Sequence, residues 1–155
     1  MTQAQHSPAE SMAQELVSAR ELLACLQQEQ SHLIQADIAA LALCAERKND
    51  LVARMATLAR TRSQALAATG HAATDAGMLA WLAMQPQAVR ERWQTLLAVA
   101  ASGPELNRTN GLLIHQHLNR NQNALQTLRG GQQPAVYGCD GQQNVQTSGR
   151  SFVAG

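Results

Sequence analysis

Aromatic and β-branched residues are scarce in this chain of 155 residues. Trp81, Trp93, Tyr137 and Phe152 are its aromatics, and Val and Ile together number 10. These residue types fit a pleated, half-buried surface, so their scarcity argues against a β-sandwich, a barrel or a doubly wound sheet. An excess of one charge is also lacking: 12 Lys and Arg stand against 11 Asp and Glu, a formal net charge of +1. No global field would draw nucleic acid or anionic lipid to the chain. No run approaches 18 uninterrupted apolar residues, so no membrane insertion is expected. Residues Met1 to His6 have neither the basic start nor the apolar stretch of a secretory signal. Cys25, Cys44 and Cys139 are odd in number and widely spaced. They do not read as a disulfide framework, and a reducing cytoplasm is the expected location.

What the chain has in quantity is 28 Ala, 20 Leu and 19 Gln. All three are strong helix formers. The length gives room for one domain with a core of ordinary size. The expected fold is all-α: an antiparallel bundle of three to four long helices with coiled-coil-like packing over residues 1–129. A flexible, Gly/Gln-rich tail is expected over residues 130–155.

The first helix start is legible at Ser7-Pro8-Ala9-Glu10. Ser7 can cap the first free N–H groups, Pro8 fits the first helical position, and Glu10 can reach back to the cap. Met12, Leu16, Ala19, Leu23, Leu26, Gln30 and Leu33 then recur at alternating spacings of 4 and 3. That is the seam of a helix packed lengthwise on another. A second seam runs through Leu41, Cys44, Lys48, Leu51, Met55, Leu58, Arg62 and Ala65. One continuous helix of about 60 residues would span roughly 90 Å. A hairpin at Ala36-Asp37, with Asp37 capping the second helix, is the favoured reading.

Ala68 to Gly77 is a clear break, with two glycines and short polar residues that compete for backbone hydrogen bonds. Met78 to Met84 reads as a short helix ending before Pro86. Beyond it, Trp93, Leu97, Ala100, Pro104, Asn107, Gly111, Ile114, Leu118, Asn121, Leu125 and Leu128 hold one heptad phase. Two separate helices would have no reason to share a phase. This predicts one long element, kinked or broken at Gly103-Pro104 because proline removes a donor and clashes one turn back.

Residues 130–155 hold six of the ten glycines and only two charges, Asp140 and Arg150. Such a stretch cannot bury enough apolar surface to order itself alone. An aromatic there, such as Tyr137 or Phe152, has little core of its own to join and suits a partner.

Chemical constellations are weak. His115 and His117 are two apart, so on a helix they face opposite ways and make poor joint metal ligands. Cys25 and Cys44 lack a close partner and read as small buried hydrophobes. A di-metal carboxylate bundle needs two Glu-x-x-His pairs, and Glu29 with His32 supplies one. No enzyme activity, metal or cofactor is expected, and an enzyme built on Glu29, His32 or a cysteine is the least favoured reading. A self-associating coiled-coil adaptor ranks above it. Asn107 and Gly111 occupy seam positions where Leu would be expected. Two readings stand level: a loosely packed stretch after Pro104, or a polar layer that fixes register and lets a neighbour approach at Gly111. Leu113, Leu118, Leu125 and Leu128 are candidates for a groove or stripe that accepts an amphipathic helix.

Leu106-Asn107-Arg108-Thr109-Asn110-Gly111-Leu112-Leu113-Ile114 resembles the L-N-x-x-N-G-x-L-I stretch of the FlgN family of flagellar type III export chaperones. Leu125 to Gly130, the Ala36-Asp37 turn and the Glu46-Arg47-Lys48 helix are similar to family features. Tyr137-Gly138-Cys139-Asp140-Gly141 resembles the family's Y-G-x-x-G tail box. The likeness spans most of residues 10–142, and the two boxes about 25 residues apart are its specific part. Ser102-Gly103-Pro104 departs from the pattern, and residues 142–155 match nothing in it.

The resemblance implies a cytoplasmic helical chaperone that binds the C-terminal helical region of the hook–filament junction proteins, hook-associated proteins 1 and 3. It would keep them from premature assembly and deliver them to the cytoplasmic domain of the flagellar export gate. Asn107, Asn110 and Gly111 match the helix box. Tyr137, with Gly138 and Gly141 of the same box, matches the gate-docking tail.

Overall fold

A computed structural model describes residues 7–130. The elements are α1 (Pro8–Gln35), α2 (Ile38–Ala68), α3 (Asp75–Ala83) and α4 (Gln87–Gly130), with no strand among the described residues. The fold is all-α, as the composition requires.

Local chemistry sets the ends of the elements. Ser7 Oγ accepts from the Glu10 amide while the Glu10 carboxylate accepts from the Ser7 amide, a closed capping box with Pro8 just inside it. At the other end of α1, Ala36 takes the left-handed conformation. Its amide donates to Leu33 and the Asp37 amide to His32, which satisfies the last carbonyls. Asp37 Oδ1 then accepts from the Ala40 amide and opens α2. The hairpin is therefore built from one residue that stops a helix and one that starts the next.

The break after Ala68 also falls where the sequence placed it. Gly70 has φ +84, a backbone state that side chains resist. Thr74 Oγ1 caps α3 by accepting from the Gly77 amide. The expected start at Met78 is three residues late, because Thr74 does the capping and Asp75 and Ala76 form the first turn. Gly77 is obligatory for space: a Cβ there would run into the backbone carbonyl of Ala72.

By its contacts the chain divides into a unit ending at His115 and a second beginning at Gln116. In the first, α1 and α2 pack antiparallel along their length. Both expected seams are buried or half-buried throughout. The apolar core lies at the end where α1 begins and α2 stops: Met12, Leu66, Met78, Trp81 and Leu82, with Ala9, Val89 and Trp93 packed on it. Residues 116–130 of the second unit are helical and, except for half-buried His117, exposed.

The expected single long element is present as α4, with no break at Gly103 and Pro104. The expected inward face is not the one observed. The inward face of α4 in the first unit is the stripe Arg92, Leu96, Val99, Gly103, Leu106, Asn110 and Leu113, each buried or half-buried. The expected seam lies one residue further on: its first member, Trp93, is half-buried against the core, but Leu97, Ala100, Pro104, Asn107, Gly111 and Ile114 are exposed. One residue turns a helix by about 100°. Both stripes hold apolar residues at heptad spacing, so periodicity alone does not choose between them.

Candidate functional site

The first unit has a polar spine that the apolar pattern concealed. Along α1, Ser11, Glu15, Ser18, Cys25 and Glu29 are buried, with half-buried Leu22 and His32 between and after them. Their spacing is 4, 3, 4, 3, 4, 3, a second heptad stripe beside the apolar seam. Sequence reading missed it because most of its members are polar. The signal that could have found it lies on α2, where the seam carries Lys48 and Arg62 in place of apolar residues. Such positions need acids opposite them.

Those acids are Glu15 and Glu29. Arg62 Nε bonds Glu15 Oε1 at 2.6 Å, and Lys48 Nζ bonds Glu29 Oε1 at 2.6 Å. The two acids are 14 residues apart on α1, and the two bases are 14 apart on α2. Fourteen residues are two heptads, so each pair returns to the same face about 21 Å along the helix.

α4 joins each layer by different chemistry. At the first, the Arg62 guanidinium lies over the Trp93 ring, 4.9 Å from its centroid. At the second, Asn110 Nδ2 donates to the Leu26 carbonyl at 2.9 Å and to Glu29 Oε2 at 2.8 Å. Asn110 is fully buried, and its Oδ1 has no partner among the described residues.

The N-x-x-N-G box is thus split by the helix. Asn110 forms the polar layer; Asn107 and Gly111 do not. Asn107 is exposed at the edge of a cavity, and Gly111 is exposed with nothing within 4 Å of where a Cβ would stand. Among the described residues no neighbour approaches Gly111, contrary to the close-approach reading there. Arg108, in the same box, hydrogen-bonds Glu105 at 2.8 Å and holds that carboxyl below its ordinary range.

Between the two layers lies a cavity of about 650 Å³. Leu22, Leu23 and Leu26 of α1, Val52 and Met55 of α2, and Val99, Gly103 and Pro104 of α4 line it. Leu113 is half-buried near the end of the first unit. In the second unit Leu118, Leu125 and Leu128 are 54%, 54% and 72% exposed. Spacings of 7 and 3 put these three leucines on one helix face. Tyr137, Gly138 and Gly141 lie outside the described residues.

Of the residues that could carry chemistry, His32 is half-buried and its Nδ1 has no hydrogen-bond partner among the described residues. Glu29 is engaged by Lys48 and Asn110. Cys25 and Cys44 are free and buried, and the Cys25 Sγ lies 3.6 Å from the Cys44 carbonyl oxygen. Burial pushes the Cys25 thiol up from its ordinary range, and nearby Cys44 adds to the shift. That is the opposite of what a thiolate nucleophile needs. Among the described residues, no three His, Cys, Asp or Glu side chains converge as a metal site would require. Among the same residues, no helix is long and apolar enough to cross a membrane.

The chain is similar to several flagella synthesis proteins named FlgN. It is 36% identical over 66 residues to that of Salmonella typhimurium, covering 43% of this chain and 47% of the relative. It is 30% identical over 66 residues to that of Escherichia coli, covering 43% and 48%. To that of Proteus mirabilis it is 38% identical over 63 residues, covering 41% and 40%. The chain spans about half the length of these curated relatives or less. No solved structure matches it. The model of the family described as FlgN protein matches residues 1–144, and with that match over nearly its full length the chain belongs to the FlgN family.

Proposed function

We propose that this chain serves flagellum assembly as a cytoplasmic export chaperone without enzymatic chemistry. It binds the C-terminal helical region of the hook–filament junction proteins, hook-associated proteins 1 and 3, and delivers them to the cytoplasmic domain of the export gate. Family membership supports the flagellar setting. The observation that carries the binding role is the exposed leucine face of residues 116–130. Leu118, Leu125 and Leu128 leave large apolar side chains in water at the spacing that an amphipathic helix reads. Leu113 and the box residues Asn107, Asn110 and Gly111 complete the proposed substrate region, with Asn110 acting from inside the helix packing. Tyr137, Gly138 and Gly141 form the proposed gate-docking element.

Titration calorimetry with a peptide from the C-terminal helix of a junction protein tests this. The full chain is expected to bind one to one. The triple variant Leu118→Glu, Leu125→Glu, Leu128→Glu should bind at least about 100-fold more weakly, since each lost apolar anchor is worth about 1–3 kcal/mol. Unchanged affinity would reject the leucine face. In the same series Tyr137→Ala should keep peptide affinity and lose affinity for the gate domain; equal gate binding removes that role.

The same leucine face suits a second copy of the chain, the coiled-coil adaptor reading. Sedimentation decides between them: a monomer at every concentration rejects the adaptor.

A further inference from the structure

The geometry points to residues 97–110 of α4 as a hinged strap beside the inter-layer cavity, fixed at its start and latched at its end by Asn110. The start is fixed firmly. Trp93 packs on the apolar core and under Arg62, and Leu96 is buried. From residue 97 to residue 109 no side chain of α4 is fully buried. Burial becomes complete again only at Asn110, whose amide donates to the Leu26 carbonyl and to Glu29.

Beside the strap is the cavity, which opens to solvent past Val52, Ala100, Pro104 and Asn107, so Val99 and Gly103 have space where packing partners would stand. Midway along it lies Pro104. Proline offers no N–H to the Ala100 carbonyl one turn back, so the helix is weakest there. A helix with a firm anchor, a missing hydrogen bond beside an open cavity and a polar latch can swing the segment beyond Pro104 outward. That motion would uncover the Leu22, Leu23 and Leu26 wall while α1 and α2 stay paired through Glu15–Arg62 and Glu29–Lys48. The latch suits release: water replaces an amide hydrogen bond more readily than it replaces apolar packing.

Hydrogen exchange followed by mass spectrometry on the full chain tests the strap. In the unmodified chain, amides of residues 105–113 should exchange on the order of tenfold faster than those of residues 89–96. Asn110→Asp removes the donor and sets a second carboxylate beside Glu29. It should speed exchange at 105–113 by on the order of ten- to a hundredfold, with residues 8–35 and 38–68 unchanged. Pro104→Ala restores the missing donor and should slow exchange in the same segment. It also decides the matter if Asn110→Asp does not fold. Equal exchange on both sides of Pro104 in the unmodified chain, no response to Pro104→Ala, or a uniform rise across α1 and α2 in Asn110→Asp would overturn the strap.

Discussion

The two ends of the first unit solve the same problem with different materials. At both, an acid of α1 meets a base of α2 across the hairpin. At the first, Trp93 of α4 packs on Met12, Leu66, Met78, Trp81 and Leu82, and the paired Arg62 lies over its ring. At the second, Asn110 of α4 bonds the Leu26 carbonyl and Glu29 through its amide, flanked along α4 by half-buried Leu106 and Leu113. Apolar burial is proportional to area and indifferent to direction, whereas an amide holds only in one geometry. The first end therefore supplies stability. The second supplies register: the Asn110 amide meets its two acceptors on α1 in only one setting of α4.

The largest test of this contrast removes the apolar side. Trp81→Ala should destabilise the chain by about 3–5 kcal/mol in urea unfolding, through lost burial and the cavity left behind. A loss below about 1 kcal/mol would mean that the aromatic end does not carry the fold. Next comes the acid–base layer it shares with the other end. Glu15→Ala leaves Arg62 without its carboxylate in a mostly buried position and should cost about 3 kcal/mol. The double change Glu15→Leu, Arg62→Leu should be near neutral, since desolvating both charges offsets their attraction. If the double variant is as unstable as the single one, the layer contributes packing that no apolar pair replaces. The smallest effect sharpens the contrast from the loose side. A Cβ at Gly103 meets nothing within 4 Å. Gly103→Ala should thus stabilise by about 0.5–1 kcal/mol from helix propensity alone. A destabilised variant would show that the space beside the strap is not free.

Particular residues show where legibility in the sequence ended. Ser7, Pro8 and Glu10 announced a helix start, and Ala36-Asp37 a turn, because caps act within one turn of backbone. The α2 seam was readable down to Lys48 and Arg62, since a helix with one buried face leaves one apolar stripe. The α1 acids were not, because a buried Glu looks like a solvated one until its base is in place. On α4 the reading landed one residue off. Leu97, Ile114 and Leu118 keep a heptad phase as faithfully as Leu96, Leu106 and Leu113 do. Of the candidate site, the exposed Leu118, Leu125 and Leu128 lay on a legible stripe. Asn110 sat within the recognised box, but its partners Leu26 and Glu29 are more than 80 residues away.

The opening scarcity settled the fold class by itself. A chain rich in Ala, Leu and Gln, with few β-branched or aromatic residues, forms helices, because local propensity and capping are local in sequence. Which face of α4 turns inward was decided only by tertiary structure. Two apolar stripes compete there, and the one chosen brings the Asn110 amide to Glu29 and Leu26 while leaving the other, from Leu97 onward, in water. That choice depends on partners that lie on α1, more than 80 residues away, and no window of sequence along α4 contains them.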